Sequence, residues 1–143
     1  MIELTITIAI LSFGIIGVYG AFSPMVRLNA TIVSKFTASQ LAQEGFELAR
    51  NMRSNKALLQ CALGCRLDYR AGTLAAYDDS EYLNITADGF YGYEPGAATK
   101  FKRKITVTQA GSPDILKITA AVMWNDNGKS QTFETIGYLY NYQ

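Results

Sequence analysis

Apolar and polar positions follow three different rhythms along this chain. From Leu4 to Val26 there is no charged side chain, and apolar residues occupy every face that a helix would present. From Leu28 to Leu59 apolar residues recur at helical spacing. Leu28, Ile32 and Phe36 fall four apart, and Leu41, Leu48 and Met52 continue one face with Ala42, Phe46 and Ala49 beside it. Glu47 and Arg50 are spaced for a helical ion pair. Beyond Leu59 the period drops to two. LAAY, YLNI, GFYGY, FKRKITVTQ, ILKITAAVMW and QTFETIGYLYNY read as strands, separated by the turn-forming runs YDDSE, TADG, EPGAAT, QAGSPD and NDNGK. Asn127-Gly128, between two such runs, marks a hairpin.

The pattern predicts an α+β fold, a long N-terminal helix packed against a small antiparallel sheet whose short connections favour a meander. Three parts follow: residues 1–26 as an apolar helical segment, 27–59 as its amphipathic continuation, and 60–143 as a β domain. A helix over the uncharged run rises about 1.5 Å per residue and so covers the roughly 30 Å hydrocarbon layer of a bilayer. The absence of a basic stretch ahead of it and the length of the run favour an anchor over a cleaved secretory signal. Continued to Leu59, the helix would reach about 80 Å. Arg27 and Lys35 follow the apolar run, which by the positive-inside tendency places the bulk of the chain in the cytoplasm. The two cysteines and the aromatic-rich β half argue instead for export.

Composition narrows the chemistry. The 143 residues carry a net charge of +1 and no histidine, which removes the commonest general base and metal ligand. There is no nucleophile beside a base, no phosphate-binding loop and no convincing carboxylate pair, so neither an enzyme nor a cofactor is expected. Asp78, Asp79 and Glu81 fall in a turn, where solvation explains them. Cys61 and Cys65 lack a third thiol or a histidine to complete a zinc site. In an exported chain they are expected to form a disulfide, whose short loop contributes at most about 2 kcal/mol. WNDNG suits a hairpin turn better than a calcium loop, and Asn29-Ala-Thr31 and Asn84-Ile-Thr86 match a glycosylation sequon.

The stretch MIELTITIAILSFGIIG resembles the N-terminal signature of bacterial type IV pilins, a Leu-Ile-Glu-Leu core followed by apolar residues, with Met1 at the leucine position and Glu3 at the acid. LAQEGFELARNMR, FKRKITVT, VMWNDNG and YLYNYQ are similar to stretches of a pilin subgroup with a small β domain, and extend the resemblance over nearly the whole chain. It departs from the family in that the basic leader ending in Gly, and two further residues, do not precede Met1. The resemblance implies a structural subunit of an extracellular type IV pilus, serving adhesion, motility or DNA uptake. Its implied partners are identical subunits in a helical homopolymer, the cytoplasmic membrane before assembly, an inner-membrane assembly machinery, and other cells or surfaces. A pseudopilin of a type II secretion system shares the same N-terminal logic, and an unassembled, membrane-tethered binding domain is the third reading.

Glu3 is the residue on which these readings turn. A carboxylate in an apolar segment asks for a partner. From the residues alone, hydration near the membrane interface and complementarity to the helix macrodipole suffice. The resemblance implies more: the acid neutralises the N-terminal amine of an adjacent subunit and so sets assembly register, with Met1 as the second assembly residue. Gly14, Gly17, Gly20 and Pro24 weaken the helix. In a filament this zone is expected to lose helix in part; otherwise the glycines serve close packing. Lys100, Lys102, Arg103 and Lys104 make a basic run around Phe101. It is a candidate for a polyanion such as DNA, or for a neighbour's acidic loop, against the plainer reading of a solvated strand face.

Overall fold

The computed structural model describes residues 2–52, 58–68 and 74–140. Helix α1 spans Ile2–Asn51. It is followed by a 3-10 helix, Leu59–Leu63, and eight strands: β1 Cys65–Leu67, β2 Leu74–Ala76, β3 Asn84–Ile85, β4 Tyr91–Gly92, β5 Ala97–Ala98, β6 Phe101–Ala110, β7 Ser112–Asp126 and β8 Lys129–Tyr140. The chain forms two compact units that divide between Lys35 and Phe36, nine residues later than the end of the uncharged run.

In the first unit the large apolar side chains that the structure describes are outside. The helix Ile2–Phe22 is long and apolar enough to cross a membrane or to act as a signal, and none of it is buried. Its hydroxyls do not stay unsatisfied: Thr5 donates to the Ile2 carbonyl at 2.8 Å, Thr7 to Glu3 at 2.7 Å and Ser12 to Ile8 at 2.8 Å. Such back-bonding is what an apolar environment demands of a hydroxyl. Helix runs without a break through Gly14, Gly17, Gly20 and Pro24, so the single chain expresses no loss of helix in that zone. Each glycine costs roughly 1 kcal/mol of helix propensity, less than unpairing a backbone group in an apolar medium.

The second unit packs residues 36–51 of α1 on a five-stranded antiparallel sheet in the order β2-β1-β6-β7-β8. β6, β7 and β8 form the expected meander, turning at Gly111 and at Asn127-Gly128. Both residues of the latter turn have positive φ, 52° and 79°, the twist that a two-residue hairpin requires. The remainder departs from a meander. β1 pairs with β6 across a long sequence gap, and β3, β4 and β5 form a separate three-stranded sheet in the order β4-β3-β5. Gly96 makes that small sheet possible, because a Cβ there would lie 2.2 Å from the Ile85 carbonyl oxygen.

Small residues bring the helix close to the sheet. Ala38, Ala42 and Ala49 are wholly buried, with Leu41 between them. Two apolar clusters result. One gathers Ala38, Leu41 and Ala42 with Leu83, Phe101 and Trp124. The other joins Ala49 to Leu58, Cys61, Cys65, Ile105 and Ile118. Each large side chain so buried stabilises the fold by about 1.5–3 kcal/mol. Leu28, Ile32 and Phe36, expected at helical spacing with this face, are more than half exposed. The amphipathic helix ends at Asn51 rather than at residue 59, with Arg50 in its last turn and 3.5 Å from Glu47. Cys61 and Cys65 are disulfide-bonded within the second cluster, and tie the 3-10 helix to β1.

Candidate functional site

Glu3 lies in the first turn of α1 with an exposed side chain. There a carboxylate complements the partial positive charge of the helix N-terminus. Among the described residues it has no ion-pair partner, and Met1, the other assembly residue expected from the sequence, lies outside them. A side chain added at Gly14, Gly17 or Gly20 would meet nothing within 4 Å. Among the described residues, no intrachain contact therefore requires a glycine at these positions. Ile6, Ile10, Phe13 and Val18, all more than half exposed, complete an apolar surface far larger than a soluble monomer leaves uncovered.

The basic run does not form one patch. Strand alternation on β6 sends Lys102 and Lys104 to one face and Phe101, Arg103 and Ile105 to the other. Arg103 is buried against the helix. Its guanidinium donates to the Leu67 carbonyl at 2.9 Å and to the Leu41 carbonyl at 3.3 Å, and lies 3.2 Å from a Glu44 carboxylate oxygen. Gly45 makes room for it, since a Cβ there would come within 2.8 Å of Arg103 Cδ. The expectation that Arg103 belongs to a polyanion or neighbour contact is thus corrected: the residue joins helix to sheet inside the core.

The lysines are also engaged within the chain. Lys102 lies 3.5 Å from an Asp79 carboxylate oxygen, donates to the Asp79 carbonyl, and sits 4.7 Å from the centre of the Tyr82 ring. Lys100 is 3.8 Å from Asp126, and Lys104 is 5.3 Å from the Tyr77 ring centre. The acidic YDDSE loop expected to be met on a neighbour is therefore met by the chain's own β6. Ser80 bonds hold the Asp78 carboxyl below its ordinary value, the backbone N–H contributing more than the hydroxyl. The Tyr77 hydroxyl, donating at 2.8 Å, and then Lys102 do the same for Asp79. Of the two sequon asparagines, Asn84 donates its amide to the Glu94 carbonyl at 3.1 Å, and Asn29 is exposed on α1.

Burial, with the Asp79 hydrogen bond, pushes the Tyr77 phenol upward. Burial raises that of Tyr93, against the opposing pull of Arg103 and Arg66. A phenol whose folded value is raised adds stability in full below about pH 10, the unfolded value. That contribution is lost as pH rises through the folded value. Phenolate absorbance is therefore expected to show a late phase, and Tyr93→Phe is expected to diminish it. Titration of all tyrosines in one phase near the ordinary value would contradict this.

Sequence reasoning missed Glu44, Gly45 and Tyr93, whose hydroxyl donates to the Arg103 carbonyl at 3.1 Å, and the pair of Arg66 with Glu81. The signal for the first two was the small residue beside an acid on a buried helix face, but their partner lies on a distant strand. No protein-family model, no curated protein and no solved structure matches the chain.

Proposed function

We propose that this chain is the structural subunit of an extracellular type IV pilus, inserted in the cytoplasmic membrane before assembly and packed afterwards with identical subunits in a helical homopolymer. The observation that supports this most is the helix Ile2–Phe22, uncovered along its whole length and carrying a single acid in its first turn. A bilayer would cover the apolar surface but leave Glu3 without a partner, at a cost of several kcal/mol if drawn into hydrocarbon. A shared core of such helices covers the same surface and can supply the partner, an N-terminal amine. The open space at Gly14, Gly17 and Gly20 suits close approach of neighbouring helices. DNA uptake draws no support from the basic run, since Arg103 is buried and the lysines have acidic or aromatic partners. Adhesion and motility remain the roles this reading carries.

Glu3→Ala is expected to leave membrane accumulation and the C-terminal unit intact while lowering the yield of sheared surface filaments. The drop should be at least about tenfold, equivalent to about 1.4 kcal/mol per added subunit. Wild-type yield and helical order in negative stain would sink the proposal. A wild-type chain found only in short periplasmic assemblies would replace it with the pseudopilin reading.

A further inference from the structure

The outer face of the sheet, away from the helix, carries a cleft of about 280 Å³ near the β7–β8 hairpin, lined by Tyr82, Lys100, Lys102, Met123, Asn125 and Ser130 and bordered by Trp124, whose side chain packs in the helix-side cluster. Register builds it. Lys102 of β6 stands opposite Met123 of β7, and Asn125 of β7 stands opposite Ser130 of β8. Tyr82, from the segment before β3, is 47% exposed. We propose that this cleft binds a neutral saccharide.

Three properties select that class of ligand. First, the cleft pairs aromatic and apolar surface, from Tyr82, Met123 and the methylene stem of Lys102, with polar groups from Asn125, Ser130 and the lysines. A sugar ring has the same division, a C–H face that stacks on an aromatic and an edge of hydroxyls. Second, charge is balanced. Lys100 is held by Asp126 and Lys102 by Asp79, so an anionic ligand would be desolvated without meeting an uncompensated cation. Third, the polar groups comprise both donors and acceptors. Ammonium N–H groups and the Ser130 hydroxyl donate, and the Ser130 oxygen accepts. A sugar hydroxyl does both. The Asn125 amide is oriented before any ligand arrives, because its Oδ1 accepts the Gly128 N–H at 2.9 Å, leaving its NH₂ to donate. The volume, about 280 Å³, lies just below the roughly 300–1,000 Å³ of ligand pockets, and suits a short saccharide.

The full chain supplies its own reporter, because Trp124 is its only tryptophan. It would be held unassembled in phosphocholine micelles, free of sugar detergents, and titrated with lactose, maltose, mannobiose, di-N-acetylchitobiose and glucuronic acid. Tryptophan fluorescence and the amide shifts of Tyr82, Lys102, Asn125 and Ser130 are read together. At least one neutral sugar is expected to bind saturably in the millimolar range, with shifts centred on those residues. Tyr82→Ala and Ser130→Ala, both at surface positions, are each expected to weaken it by at least about tenfold. Saturable binding by none of the sugars would overturn the proposal. So would binding that survives Tyr82→Ala, or glucuronic acid binding more tightly than every neutral sugar. Since the measurement needs no filament, its outcome is separate from that of the assembly proposal.

Discussion

Replacing Arg103 by alanine is expected to destabilise the C-terminal unit by about 3–5 kcal/mol, through the cavity left by a large buried side chain and the loss of its hydrogen bonds. The Arg103 side chain is fully buried, and its three partners come from two different elements: the Leu41 carbonyl and Glu44 carboxylate from α1, and the Leu67 carbonyl from β1. Truncation leaves a cavity under Gly45 and removes a donor from each carbonyl. Glu44 is a different case. Glu44→Ala leaves the guanidinium buried without its carboxylate but still bonded to two carbonyls, and because the Glu44 side chain is 38% exposed water can take its place, so the change is expected to cost less, about 1–2 kcal/mol after discounting for screening. Urea unfolding of the two single variants and the double variant checks this. Equal costs for the two singles would show that the guanidinium is not the centre of the network.

Gly137→Val is expected to cost about 3 kcal/mol, and to cost almost nothing when Phe46→Ala is already present. A Cβ at Gly137 would fall 2.4 Å from both Cε2 and Cζ of Phe46. The ring therefore occupies the space that any other residue on β8 would fill. Forcing it out forfeits much of what burying a phenylalanine contributes, about 3–5 kcal/mol when the whole side chain is removed. Once the ring is gone the valine has room, which is why the two changes should not add. Additive effects in a double-mutant cycle would place the strain elsewhere.

Both cases show what the chain made legible and what it did not. The three long strands were visible as period-two runs, and Asn127-Gly128 fixed the hairpin between β7 and β8, because a local turn and a local alternation need no knowledge of distant residues. β1 is three residues long, carries no pattern of its own, and pairs with a strand some forty positions later at Cys65↔Ile105. In the small sheet, β3 and β4 fall within the expected runs YLNI and GFYGY, whereas β5, Ala97–Ala98, lies in EPGAAT, which reads as a turn. Arg103 is instructive because its placement was encoded: it shares parity with Phe101, Ile105 and Val107, all buried. Grouping it with Lys100, Lys102 and Lys104 as one basic run set charge above alternation. The alternation decided, because Glu44 and two carbonyls were available to satisfy the guanidinium, and a single sequence does not show which helix residue faces which strand. The apolar N-terminal segment was plain, whereas the cleft on the outer sheet face depends on cross-strand register and on Tyr82 folding beside Lys102.

The bond from Arg103 to the Leu41 carbonyl joins residues 62 positions apart, and this separation has a consequence for synthesis. Ribosomes add about 5–20 residues per second, so the helix face bearing Ala38, Leu41 and Ala42 is made roughly 3–12 s before the strand that covers it. Helix itself forms within about a microsecond. Throughout that interval the nascent helix has its buried face open, with Glu44 complete and its cation not yet translated. The β6–β7–β8 hairpins, whose contacts are local, can close as soon as they emerge. Docking of the early helix onto the late sheet is therefore the step most exposed to competing association. Slowing translation between Leu41 and Arg103 should lower the yield of folded chain more than the same delay placed after Tyr140.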